Sequence, residues 1–165
     1  MENKKVGWAG WAVLEQAGRT AVAAVASVLV ARLVRLPETY WAAITTLVIA
    51  QSSLGAAMKV SGERFIGTAL GAGVGSILAT YFAPHVAIYG VALFLLGLLI
   101  AAVRSDRRAY RFGGVALTIV LLVPRTGPAW QVGFHRFAEV TIGIVVALAM
   151  TVAWPEKEEV AGAKE

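Results

Sequence analysis

Six long apolar runs fill this chain and decide its class. They read from about Trp11 to Val34, Tyr40 to Met58, Phe65 to Phe82, Val86 to Val103, Phe112 to Val123 and Phe137 to Trp154. The hydrocarbon core of a bilayer takes about 20 apolar residues of helix, at about 1.5 Å rise each. The strands of a membrane barrel would be about 10 residues long and would alternate apolar with polar. No such alternation is present, so the runs predict helices. Pro37, Pro84, Pro124 and Pro155 punctuate their ends.

Composition agrees. Hydrophobic residues make up 58% of the 165, and charged residues only 15%. A soluble domain of this length has too little polar surface at that ratio, so the excess apolar surface is predicted to face lipid. The expected architecture is all-α, with six transmembrane helices across residues 1–155 and a short charged tail at 156–165. Met1–Lys5 is basic like the start of a signal peptide. The run behind it carries Glu15 and Arg19 and extends to about Val34, which is too long for one.

The net charge of +5 invites a nucleic-acid reading. The bases instead lie between apolar runs, which fits a membrane surface, and no nucleic-acid partner is expected. With the N-terminus inside, Lys4, Lys5, Lys59, Arg64, Arg104, Arg107, Arg108, Arg111, Lys157 and Lys164 fall inside. Only Arg32, Arg35, Arg125 and Arg136 fall outside. That bias predicts cytoplasmic termini. Trp8, Trp11, Trp41 and Trp154 fall near the expected interfaces. There is no Cys, one Asp and two His. No metal, no cofactor and no enzymatic constellation is expected.

A shift of 72 residues lays the chain on itself. Arg32 then meets Arg104, Arg35 meets Arg107, and Gly55 meets Gly127. Arg64-Phe65 meets Arg136-Phe137, and Gly71 meets Gly143. The implied repeats, about 11–82 and 86–154, hold three helices each. An odd number inverts the second copy in the membrane, the arrangement of many transporters. The apolar run of the second helix stops early in both copies, at Gln51-Ser52-Ser53 and at Pro124-Arg125-Thr126-Gly127-Pro128. Such paired interruptions point to a transport site, and they also fit plain loop ends.

Ionisable residues within the runs are the next candidates. Glu15 and Arg19 are spaced i,i+4, and Arg136 and Glu139 i,i+3, so each pair can meet on one helix face. Glu63 and Arg64 open the third expected helix. Glu139 is the deepest carboxylate by position, and Glu15 and Glu139 are candidate proton carriers or structural partners of arginine. Gly67, Gly71 and Gly75 repeat every four residues and form a bare ridge for helix packing. No GK[ST] follows them, so they are not a phosphate loop.

Four stretches in order resemble the membrane domain of the aromatic acid exporter superfamily, the fusaric-acid-resistance-like proteins. They are Arg19–Ala24, Leu36–Thr45 running on to Gln51, Arg64–Ala72, and Arg136-Phe137-Ala138-Glu139 with Gly143 and Trp154-Pro155. Plant aluminium-activated malate transporters are similar at greater distance. The resemblance implies export of aromatic or other organic carboxylates from the bacterial cytoplasmic membrane, driven by the proton gradient. It carries over Arg19, Trp41, Gln51, Arg64, Gly67, Gly71, Arg136 and Glu139. Arg19, Arg64 and Arg136 would offset the substrate's charge, Tyr40 and Trp41 would stack on its ring, and Gln51 would line the site. Larger members of the superfamily hold two such units, so this single unit is expected to form a homodimer. A passive anion channel and a non-transporting membrane scaffold are the alternative readings.

Overall fold

The computed structural model describes residues 2–50, 53–83, 85–125 and 127–154. Six helices follow one another: α1 (Glu2–Leu33), α2 (Tyr40–Ile49), α3 (Leu54–Tyr81), α4 (Val86–Ala102), α5 (Arg107–Leu122) and α6 (Ala129–Ala153). The charged tail at 156–165 lies outside the described residues. By length and composition, Val13–Leu33 and Ala129–Ala153 could each cross a membrane, while α2 and α4 are shorter apolar helices.

Several boundaries correct the sequence reading. The run Tyr40–Met58 is not one helix. α2 has ten residues and stops at Ile49, so it spans about 15 Å, half a bilayer core. α3 begins at Leu54, and Glu63 and Arg64 lie well inside it rather than opening it. α5 begins at Arg107 and α6 at Ala129, each more than a turn before its apolar run. Arg136 and Glu139 are therefore also well inside their helix.

The ends of α1 and α4 share one device. Arg35 and Arg104 take left-handed φ values of 60° and 52°. The N–H of Leu36 reaches the Ala31 carbonyl at 3.0 Å, and that of Ser105 reaches Ile100 at 3.1 Å. Both turns are Schellman closures that satisfy carbonyls orphaned at a helix end. Arg35 and Arg104 thus hold the same place in their turns, whereas the shift of 72 lays Arg32 on Arg104.

Helix α3 is central, packed on α5 and α6, while α2 lies between α1 and α6. Glycine makes the α3–α5 approach possible. A Cβ on Gly67 would fall on the Ala109 carbonyl oxygen, and one on Gly71 would fall on that of Gly113. Small residues let backbones approach this closely. Around this axis lie two main apolar clusters. Leu96, Ile100, Leu117 and Leu121 join α4 to α5. Ile49, Ala57, Val140 and Ala147 join α2 and α3 to α6. Leu14, Val22, Val25 and Leu29 of α1, Phe94 and Leu98 of α4, and Val145 and Val152 of α6 remain exposed. A contiguous apolar exterior of this extent marks surface that meets lipid or another protein.

Candidate functional site

Helix α2 carries the site, and arginines reach it from both neighbours. Thr45 Oγ1 donates to the Trp41 carbonyl at 2.8 Å, one turn back along α2. The same hydroxyl accepts a hydrogen bond from Arg64 Nε of α3 at 3.2 Å. For Arg64 to reach Thr45, α3 must double back after the break at residues 50–53. The Arg64 guanidinium also stands 4.9 Å from the Phe112 ring centroid of α5. On the other side, the guanidinium of Arg136 of α6 stands 4.4 Å from the Trp41 ring. Two cations thus flank residues four apart on one helix, about 6 Å along its axis.

Their surroundings differ. Arg136 is paired with Glu38 and, at 3.3 Å, with Glu139 Oε2. Glu139 is fully buried. Its other oxygen accepts the Glu38 backbone N–H at 3.0 Å. Tyr40 donates its hydroxyl to Glu38 Oε2 at 2.9 Å. Glu139 therefore anchors the backbone just before α2, whose N-cap residue Thr39 provides no side-chain cap. A carboxylate at a helix N-terminus is favoured by the orphan N–H groups and the helix dipole. One cation and two carboxylates leave this cluster one negative charge in excess.

Arg64 has the opposite balance. It is only 7% exposed and makes no ion pair among the described residues. Guanidinium stays charged at any physiological pH, and a buried unpaired charge costs several kcal/mol. Arg19 of α1 is 4% exposed, with Nη2 buried and unpartnered among the described residues. It shares the inward stripe of α1 with Ala23, Ser27 and Ala31. On the same helix, Gln16 donates to the Ala50 carbonyl at 3.2 Å, just before the α2–α3 break.

The remaining expected residues divide clearly. Glu15 does not pair with Arg19; it is exposed and accepts from Trp154 Nε1 at 3.3 Å. Gln51 lies outside the described residues. Gly75 faces Val120 of α5, and Gly143 faces the Ala42 carbonyl and Thr45 of α2. Sequence reasoning missed three contributors: Glu38, Thr45 and Phe112. Glu38 stands within the Leu36–Thr45 stretch, but its partner Glu139 is 101 residues away. Phe112 was legible only as the position that the 72-residue shift lays on Tyr40.

An open groove also runs between α3 and α6, lined by Ala72, Ser76, Gly133 and Phe137 among others. Beyond the α5 break, Arg125 donates to the Ala79 carbonyl at 2.8 Å and to the Val120 carbonyl at 3.3 Å. It closes the C-terminal ends of α3 and α5, so this break is tied by a side chain.

No curated protein and no solved structure matches the chain. Residues 22–150, which include the last third of α1, all of α2 to α5 and most of α6, match the sequence profile described as fusaric acid resistance protein-like, and the chain belongs to that family.

Proposed function

We propose that this protein exports aromatic or other organic carboxylate anions across the bacterial cytoplasmic membrane. The family supports a role in membrane transport. The observation that carries the anion reading is Arg64, a buried cation without a carboxylate partner among the described residues. It stands beside an aromatic ring, at a helix only about half as long as a bilayer core is thick. An anionic ligand would supply the missing counter-charge, and Phe112 would give an aromatic ligand a face to stack on. Arg19 is the second cation of this reading, and Tyr40 and Trp41 are its aromatic groups, Trp41 beside Arg136.

The proton gradient is the proposed energy source. The Arg136–Glu38–Glu139 cluster, with its one excess negative charge, is neutralised by a single proton, and Glu139 is its buried carboxylate. The proposed unit is two inverted three-helix repeats, with the termini cytoplasmic. Two contacts and one boundary match support that arrangement. α3 packs on α5 as α6 packs on α2. Arg64 covers a ring near the start of α5, as Arg136 covers one near the start of α2. α3 and α6 end at Tyr81 and Ala153, 72 positions apart. The exposed apolar faces of α1 and α4 support a homodimer.

The test is transport of a panel of aromatic carboxylates, benzoate and salicylate among them, into reconstituted vesicles with and without a pH gradient. Flux above that of empty vesicles, lost in Arg64→Gln, is expected. No flux of any member of the panel contradicts the proposal. Flux that ignores the pH gradient and appears as single-channel current favours a passive anion channel.

A further inference from the structure

Beside Arg64, a second charged cluster takes no part in the site described above. Glu63 is 6% exposed, and neither carboxylate oxygen has a hydrogen-bond partner among the described residues. Asp106, in the turn between α4 and α5, is tied to it through a shared lysine. Lys59 bridges the two carboxyls, 3.1 Å from Asp106 Oδ2 and 3.9 Å from Glu63 Oε1. The charged groups acting on Glu63 are Lys59 from its own helix, Asp106 from the turn and Arg108 from α5. Among the described residues, α2, α4 and α6 add none.

Two ionised carboxylates can only accept hydrogen bonds, so a direct bond between these two needs a proton. We propose that Glu63 and Asp106 form a proton-binding carboxyl pair, and that the proton they hold strengthens anion binding at the neighbouring Arg64. The proton comes from water at the exposed Asp106 side and settles on the Glu63 carboxylate. Its O–H then donates to Asp106, and no other bond forms or breaks. Asp106 remains the ionised acceptor. Its carboxyl is held below the usual carboxylate range by the hydrogen bond from Lys59 and then by the one from Glu63.

The consequence for Arg64 is electrostatic. Ionised Glu63 places a negative charge on the adjacent residue and opposes an incoming anion. Protonation removes that charge, so proton and anion each favour the other's binding. On the proposed topology, the pair lies at the cytoplasmic end, where an organic acid releases its proton on entering the cell. Acidification by the acid would then load its own exporter.

The first half of this proposal is independent of the anion site, and the second half rests on it. The two are tested separately on the purified full-length protein in lipid nanodiscs. In a Glu139→Gln background, which removes the other buried carboxyl, infrared difference spectra between about pH 5 and about pH 8 should show a protonated-carboxyl band that disappears when Glu63→Gln is added. In Asp106→Asn, an exposed substitution, the band should titrate at lower pH, because the like charge has gone. Absence of the band in that background, or its persistence when Glu63→Gln is added, overturns the pair. An unmoved midpoint in Asp106→Asn overturns the role of Asp106.

Benzoate titrations then read the coupling. Affinity should rise on the order of tenfold from about pH 8 to about pH 5 in the wild type. It should change little with pH in Glu63→Gln. A wild-type affinity that ignores pH overturns the coupling. Failure of benzoate and the rest of the carboxylate panel to bind at any pH, with the infrared band intact, also overturns the coupling and contradicts the anion reading of Arg64, leaving the proton site standing.

Discussion

Phe65 and Phe137 lie ring against ring, with centroids 4.9 Å apart and planes inclined by 58°. They are 72 positions apart, and each follows an arginine that covers an aromatic ring. In the proposed repeat each is the other's counterpart, and residues that touch their own counterparts would lie on the axis relating the two copies. If the copies are inverted, that axis runs in the membrane plane.

This arrangement predicts opposite sidedness for the two equivalent turns. The chain contains no cysteine, so single cysteines can be introduced without background labelling. A cysteine at Arg35 should react with an impermeant thiol reagent from outside intact cells. One at Ser105 should react only after the inner face is opened. Reaction of both from the same side would exclude the inverted repeat.

The α3–α5 contact predicts a sharp contrast between neighbouring glycines. Gly71→Ala puts a methyl group on the Gly113 carbonyl. It should destabilise the fold by about 1–3 kcal/mol, the usual cost of overpacking. Gly73→Ala meets nothing within 4 Å. It should be neutral, or stabilise by about 0.5–1 kcal/mol through helix propensity. Unfolding in detergent titrated with a denaturing surfactant measures both.

The role of Glu139 divides along its two oxygens. Glu139→Ala leaves the Glu38 N–H and Arg136 without this partner, and should cost about 3–5 kcal/mol as a broken buried pair. Glu139→Gln keeps an acceptor for the N–H and should fold. If Glu139 carries the coupled proton, this variant transports downhill but no longer responds to a pH gradient. A preserved response would assign Glu139 to the architecture of α2 alone.

How far the residues foretold this fold depends on what marked each boundary. The start of α4 at Val86 was legible because Pro84 and His85 interrupt the apolar sequence there. The end of α2 was obscured because Leu54–Met58 continues the apolarity across the break. The polar signal was Gln51-Ser52-Ser53, and it lies beyond the last helical residue. The early turns of α5 and α6 were missed for the opposite reason. Arg107, Arg108 and Arg111, like Gln131 and His135, are helical but polar, so a hydropathy run clips them. Arg136 and Glu139 were legible as a pair from their i,i+3 spacing, and they meet at 3.3 Å. Glu38 was not, since its place beside them depends on how α2 docks on α6. A related asymmetry separates the repeats. Gly67 occupies the position equivalent to Glu139, and α5 begins five positions earlier than the counterpart of Tyr40. The extra helical turn of α5 presses against Gly67. In the other proposed copy that turn is missing, and the Glu139 side chain instead accepts the Glu38 N–H just before the shortened helix.

The central claim is that Arg64 holds the transported anion, and flux in reconstituted vesicles tests it most directly. Wild type, Arg64→Lys and Arg64→Gln should be compared for aromatic carboxylate flux at matched protein content and confirmed folding. The account predicts robust flux for the wild type. Arg64→Lys should be reduced but measurable, since the charge survives without the planar fork. Arg64→Gln should fall to the level of empty vesicles. A folded Arg64→Gln protein that transports at the wild-type rate would contradict the account.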